Sequence, residues 1–156
     1  MKVSLRPLEE ADAHTSVAWR NRPEIWLHTA YQPTREISLQ DELDWIRHAM
    51  TDPVSRRFAI IADGAYIGNV NLVDIQDGEA EYSGFIGEPA YWGRGVGRQA
   101  STQAMDCARQ LGLQSVRLRV REANLAAMKI YTSLGFTRYG EDERFIHMRL
   151  TLTEQQ

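Results

Sequence analysis

The chain has 156 residues, 43% of them hydrophobic and 25% charged, a formal net charge of −3 and a single cysteine. This is the length and apolar content of one domain, 1–156, with one buried core, and too little net charge for a disordered chain. Lone Cys107 excludes a disulfide framework and any cysteine-based metal cluster. No apolar run approaches the ~20 residues that span a bilayer, and the first residues lack the apolar region of a secretory signal, so a cytoplasmic protein without membrane contact is expected.

Val3 and Leu5 alternate with polar neighbours and predict a first strand that stops near Pro7. Residues 8–19 carry apolar and small side chains at helical spacing. Pro23 and Pro33 bracket a loop with about one helical turn, holding Trp26, His28 and Tyr31. Ser38, with Asp41 and Glu42 behind it, opens a helix as a capping box, although such a box prefers Glu or Gln at its third helical position. Leu39, Leu43, Ile46 and Met50 stripe that helix, which ends before Pro53.

Strands Phe58–Ala62 and Tyr66–Ile75 flank Asp63-Gly64, the strongest short hairpin signal in the chain. Asp77-Gly78 marks another turn, leading into Glu79–Gly87. Residues 98–111 form a helix ending around Gly112. In Ser115–Arg121, apolar Val116, Leu118 and Val120 alternate with Arg117, Arg119 and Arg121. A helix over 124–134 is capped by Asn124 and stopped by Gly135. Phe136–Tyr139 and Arg144–Leu152 close as a hairpin whose edge strand leaves room for a homodimer. The order β-α-α-β-β-β-α-β-α-β-β is that of an α/β domain. Its single crossover helix makes the Glu79 and Ser115 strands parallel neighbours.

Charge is unevenly distributed. Residues 1–90 carry 8 Lys and Arg against 15 Asp and Glu, whereas residues 91–156 carry 10 against 6. An acidic half suits a cationic ligand and a basic half an anionic one. No Lys/Arg-rich run points to DNA.

The most informative stretch is Tyr91-Trp92-Gly93-Arg94-Gly95-Val96-Gly97-Arg98. Its glycines let backbone N–H groups converge just where a helix begins. Those orphan donors and the positive helix end suit a phosphate or pyrophosphate. Arg94 and Arg98 add formal charge. A Walker loop is excluded because no Gly-Lys-Ser/Thr occurs. Gly95-Val96-Gly97-Arg98-Gln99-Ala100 satisfies the dinucleotide pattern G-x-G-x-x-A. However, the loop stands off from its preceding strand, and too little chain follows for a doubly wound sheet.

These residues resemble the GCN5-related N-acetyltransferase (GNAT) superfamily, whose acetyl-CoA loop reads Q/R-x-x-G-x-G/A at a helix start. Gly95 and Gly97 fill its glycine positions, and Trp92 stands in place of Gln/Arg, as in ribosomal-protein N-terminal acetyltransferases. Asn124-Leu-Ala-Ala-Met-Lys-Ile-Tyr131-Thr-Ser-Leu-Gly135-Phe136 is similar to the family's N-x-x-A-x-x-x-Y-x-x-x-G-F. The resemblance implies a mixed sheet of about seven strands with the fourth and fifth parallel and splayed, and about four helices. It implies acetyl-CoA as co-substrate, coenzyme A as product and no metal. The expected cofactor residues are Phe85, Ile86, Gly87, Trp92, Gly93, Arg94, Gly95, Val96, Gly97, Arg98 and Asn124. It also makes Tyr131 the acid that protonates the leaving thiolate. Ala80-Glu81-Tyr-Ser-Gly-Phe85-Ile86-Gly87 looks like the splayed fourth strand. Trp19-Arg20-Asn21, Ile37-Ser38-Leu39 and Trp45 resemble acetyltransferases acting on nucleotide-linked amino sugars.

Acyl transfer to an amine needs a base, since an alkyl amine is protonated at neutral pH. Glu81 on the fourth strand is the candidate, with Glu79 on the same face in reserve. A backbone N–H near Phe85–Gly87 is expected to stabilise the oxyanion. Trp19, Arg20, Asn21, Trp26, His28 and Tyr31 are the expected acceptor contacts. The favoured acceptor is a small-molecule primary amine, foremost a nucleotide-linked amino sugar. A protein N-terminus, an aminoglycoside, a polyamine and a non-catalytic acyl-CoA sensor are the alternatives.

Overall fold

A computed structural model describes residues 1–27, 29, 31 and 34–152; the expected contact at His28 lies outside them. Seven strands form one mixed sheet in the order β1-β2-β3-β4-β5-β7-β6. They are β1 (Val3–Pro7), β2 (Arg56–Ala62), β3 (Ala65–Gln76), β4 (Glu79–Ile86), β5 (Ser115–Val120), β6 (Thr137–Glu141) and β7 (Ile146–Thr151). The helices are α1 (Ala13–Arg20), α2 (Leu39–Thr51), α3 (Val96–Gln110) and α4 (Leu125–Ser133). The expected helix over 8–19 is split, with a 3-10 turn at Glu10–Asp12 before α1. The loop after Pro23 holds the one helical turn expected there, Pro23–Trp26.

Local chemistry accounts for most of the boundaries. Asp63 and Gly64 take φ of 49° and 86°, and Asp77 and Gly78 take 55° and 78°. Two successive left-handed residues match the twist of tight hairpins, and Asp-Gly tolerates them best. Asp41 closes the α2 capping box despite being shorter than Glu. Its backbone N–H donates to Ser38 Oγ at 3.0 Å, and the Ser38 N–H donates to Asp41 Oδ2 at 2.9 Å. The paired Arg35 guanidinium and these Ser38 bonds hold the Asp41 carboxyl down at about 2.

The two faces of the sheet bury different material. On one face α3 covers β1 and β3, joining Val70, Leu72, Val96, Ala100, Ala104 and Leu118 in the main core. On the other, α1 and α2 bury Trp19, Trp26 and Ile46 around an ion pair. There Arg20 Nε donates to Glu42 Oε1 at 3.1 Å, and Ser16 Oγ donates to Glu42 Oε2 at 2.6 Å. Trp26, Tyr31, Trp45 and Phe85 surround the Arg20 guanidinium at 4.5 to 5.9 Å from their ring centroids.

The strand that positions the cleft is β4. It pairs antiparallel with β3 along most of its length but parallel with β5 only through Glu79↔Ser115, Ala80↔Val116 and Glu81↔Arg117. Beyond Glu81 the two strands part, and the backbone edge of Tyr82–Ile86 facing β5 has no partner strand among the described residues. β7 lies between β5 and β6, so β6 is an edge strand, as the terminal hairpin suggested.

Removing one member of a buried ion pair strands the other, at a cost of about 3–5 kcal/mol. Glu42→Ala should lower the unfolding free energy by that amount in chemical denaturation, leaving the exposed pair Arg109–Asp106 as a near-neutral control.

Candidate active site

The parting of β4 and β5 opens a cleft of about 530 Å³ between β4, the start of α3 and α4. Gly93, Gly95, Val96 and Gly97 line one end; Asn124, Ala127 and Tyr131 line the other. Gly95 is the N-cap of α3 with φ 82°, and Gly93 has φ 70°, a backbone shape that other residues adopt only with strain. The N–H groups of Gly93–Arg98 make no backbone hydrogen bond with a described residue. They are the donor set an oxyanion pair requires at a helix start.

Trp92 pins this loop to the strand: its Nε1 donates to the Ile86 carbonyl at 3.0 Å. Phe85, Ile86 and Trp92 all line the cleft. Arg94 and Arg98 do not. Arg94 lies over the Tyr91 ring, and Arg98 donates to Ser133 Oγ. Gly87 corrects an expectation. Its N–H donates to the Ile67 carbonyl at 2.7 Å, and a Cβ there would fall inside the Trp19 indole. Gly87 is therefore a packing residue, and its N–H is removed from the oxyanion donors.

Asn124 caps α4 by accepting from the Ala127 N–H at 3.2 Å, and two turns on Tyr131 reaches the gap between the strands. The Tyr131 ring meets Tyr82 edge-on at 6.2 Å and Phe136 at 5.7 Å. Its hydroxyl has no hydrogen-bond partner among the described residues. Burial pushes its ionisation up to about 12, so it carries its proton at neutral pH. Tyr82 ionises higher still, again through burial; its hydroxyl shares a 2.8 Å hydrogen bond with Ser101.

A second, smaller cavity of about 100 Å³ adjoins the cleft at the gap, sharing Thr29, Tyr82, Gly84, Asn124, Ala127 and Tyr131 with it and reaching Glu81 and Ser83 on the other face of β4. Glu81, Ser83, Arg119 and Phe145 complete its wall. Among the described residues, Glu81 is the only carboxylate in that wall. It accepts from Arg119 Nε at 2.8 Å and faces an Arg117 nitrogen at 3.7 Å. Glu79 is held instead by Ser115, Arg117 and Arg149. Burial opposes its ionisation, but these partners outweigh it and keep the carboxyl below its usual range.

The expected acceptor contacts are largely spent inside the fold. Trp19 is 0% exposed, and its Nε1 donates to Glu88 Oε2. Arg20 belongs to Glu42. Asn21 clamps Ile37 from both its amide atoms, at 2.8 and 2.9 Å. Trp26 is buried with its Nε1 on the Trp19 carbonyl, and Tyr31 packs edge-on against Trp26. None of these five lines either cavity. Their neighbours Glu24, Ile25, Leu27 and Thr29 line the cleft instead. Tyr82, Ser83, Phe145 and Arg119 went unassigned in the sequence reading. The period of two on β4 points at Tyr82, and nothing local points at Phe145.

The acetyltransferase (GNAT) domain family matches residues 2–137, so the chain belongs to that family. It is 33% identical over 145 residues to the spermidine N(1)-acetyltransferase of Escherichia coli, spanning 89% of this chain and 75% of that protein. It is 27% identical over 133 residues to the acetyltransferase PseH of Campylobacter jejuni, spanning 85% and 81%. An uncharacterized Methanocaldococcus jannaschii protein is 24% identical over 94% of this chain, which spans 31% of that longer protein. The crystal structure of spermidine N-acetyltransferase from Vibrio cholerae, in complex with CoA and spermine, superposes with a TM-score of 0.85. It covers 96% of this chain and 95% of that one at 24% identity. YncA of Salmonella typhimurium, with its cofactor acetyl-CoA, gives a TM-score of 0.76 at 22% identity, over 100% of this chain and 97% of that one.

Because Tyr131 and Tyr82 both ionise above their unfolded value near 10, the folded state holds more protons than the unfolded one above that pH. Stability should therefore be complete below about pH 10 and fall as pH rises further. Melting curves between pH 8 and 11 should show this loss, and Tyr82→Phe or Tyr131→Phe should each make it shallower.

Proposed function

We propose that this chain transfers an acetyl group from acetyl-CoA directly to a primary amine. The observation that carries this is the Tyr131 hydroxyl, protonated and without a hydrogen-bond partner among the described residues, where two adjoining cavities meet at the gap beside β4. The larger cleft fits an extended ligand with an anionic end. Convergent N–H groups at Gly93–Arg98 suit a pyrophosphate, and the unpaired edge of Tyr82–Ile86 suits an amide-bearing arm. When bound, acetyl-CoA supplies the activated acyl group and a thiolate leaving group.

The protein's own groups divide the remaining work. Tyr131 Oη gives its proton to the departing sulfur. Glu81, in the wall of the small cavity, takes the proton that an ammonium must shed; the deprotonation is uphill by about 5 kcal/mol at neutral pH for a lysine-like amine. The Ile86 backbone N–H, which alternation along the strand turns away from β3 and towards the gap, stabilises the oxyanion. Asn124 offers its side-chain amide, which the helix cap leaves with free donors, to the ligand's arm. Arg117 and Arg119 keep Glu81 aimed at the cavity.

The acceptor belongs in the small cavity, on the Glu81 side. We favour the amine of a nucleotide-linked sugar, supported by the likeness to PseH across most of both chains and by the basic second half of the sequence. The second reading is a polyamine, supported by the higher identity to the spermidine enzyme.

A thiol-release assay over amino sugars, aminoglycosides, polyamines and peptides tests the reaction. Tyr131→Phe should lower kcat by about tenfold or more with little change in the KM for acetyl-CoA; unchanged turnover would remove Tyr131 from the mechanism. Gly95→Asp should act the other way, raising the acetyl-CoA KM roughly tenfold by placing negative charge and backbone strain at the N-cap. Normal cofactor affinity in that variant would discredit the loop as the pyrophosphate seat.

A further inference from the structure

Beyond the small cavity, three guanidinium groups converge on one buried ring. The carbons of Arg119, Arg121 and Arg144 lie 5.5, 5.3 and 5.2 Å from the Phe145 centroid, and Phe145 itself forms part of the cavity wall. Gathering three like charges is costly unless anions compensate them. The surrounding carboxylates do not. Glu81 serves Arg119 alone within this trio. Asp142 is engaged by the backbone N–H groups of Arg144 and Phe145 and by His147, which hold its carboxyl down at about 2. Glu79 and Asp74 serve Arg117 and Arg149. Arg121 and Arg144 have no carboxylate partner among the described residues, and Arg121 Nε is buried without a hydrogen bond.

We infer that this trio is an oxyanion seat for the acceptor: the amine substrate carries a phosphate or carboxylate group that Arg121 and Arg144 bind while its amine reaches toward Glu81. The seat adjoins the acceptor cavity. None of the glycine-loop residues that line the cofactor cleft lines that cavity, so its charge is not explained by the coenzyme's phosphates. Planar guanidinium forks suit a two-oxygen anion, and the Phe145 ring gathers them in one place. A polycation would gain nothing from Arg121 and Arg144, which have no carboxylate partner among the described residues. This rests on the acetyltransferase reading for the role of the cavity, and it chooses between the two acceptor classes left open there.

The test pairs amines that differ only in the anion: a hexosamine phosphate against the same hexosamine, and lysine against its decarboxylated counterpart, cadaverine. Calorimetric binding to the coenzyme-free protein is measured first, then acetyl-CoA turnover. At least one anion-bearing member should bind about tenfold or more tightly than its partner, and the winning pair tells phosphate from carboxylate. Arg144→Ala, at an exposed position, and Arg121→Gln should each erase most of that preference. Arg109→Ala, on the far surface of α3, should retain it. Equal or tighter binding of the anion-free amines, or a preference that survives both substitutions, would overturn the seat. Anion-dependent binding without turnover of any amine would uphold the seat and refute the acetyltransferase reading instead.

Discussion

The whole arrangement depends on β4 leaving β5 after three residue pairs. Unpaired strand edges are costly in a protein interior, so a gap of this kind persists only where something draws the strand away and something fills the space. Glycines provide the first condition. A Cβ at Gly84 would crowd the Asn69 carbonyl and Val70, one at Gly68 would strike the Phe85 carbonyl, and Gly87 lies flat under the Trp19 indole. With those three side chains absent, the outer half of β4 closes onto β3 and α1 and so away from β5. The second condition is met by the Tyr131 ring edge-on to Tyr82, and by Trp92 capping the Ile86 carbonyl.

Once open, the gap separates two electrostatic regimes. On the α3 and α4 side the wall is mostly apolar, with hydroxyls, the Asn124 amide and backbone N–H groups among its polar features and the exposed Glu24 its one carboxylate among the described residues. On the other side β4, β5 and β7 present alternating acids and arginines. Their pairing is uneven: Glu79 gathers Arg117 and Arg149, Glu81 gathers Arg119, and positive charge accumulates towards Arg121 and Arg144. β4 divides them because its side chains alternate. The side chains of Tyr82 and Ile86 turn towards α3, while those of Glu81, Ser83 and Phe85 turn away from it, the Phe85 ring packing on Trp19 and Trp26.

The readable part of this design was the part written in local chemistry. Asp-Gly pairs fixed both hairpins, Ser38 and Asn124 announced their helices, and the alternation of arginines with valine and leucine marked β5 and its two faces. The glycine loop was legible because φ near +80° and exposed N–H groups follow from glycine itself. What local chemistry does not carry is the allocation of a polar side chain among distant partners. Arg20 looked available until Glu42, twenty-two residues on, claimed it; Asn21 was claimed by Ile37. Gly87 fits a cofactor-binding strand by position and is needed for an indole 68 residues earlier. Phe145 enters the site only because β7 inserts between β5 and β6, a strand order with no local signal.

A neutral acid suits one side of such a divide, and a charged base the other. In an apolar cleft an ionised carboxylate would lose most of its hydration, whereas a phenol enters at little cost and is held protonated by the same burial that makes the cleft dry. Tyr131 is therefore a proton donor that the cofactor side can accommodate without a counter-charge. A buried carboxylate in place of Tyr131 would itself need an arginine, and that arginine would compete with the loop for phosphate. Glu81, by contrast, sits where arginines already exist to orient it. The placement of a tyrosine on α4 and a glutamate on the opposite face of β4 thus follows from where the fold can bear charge.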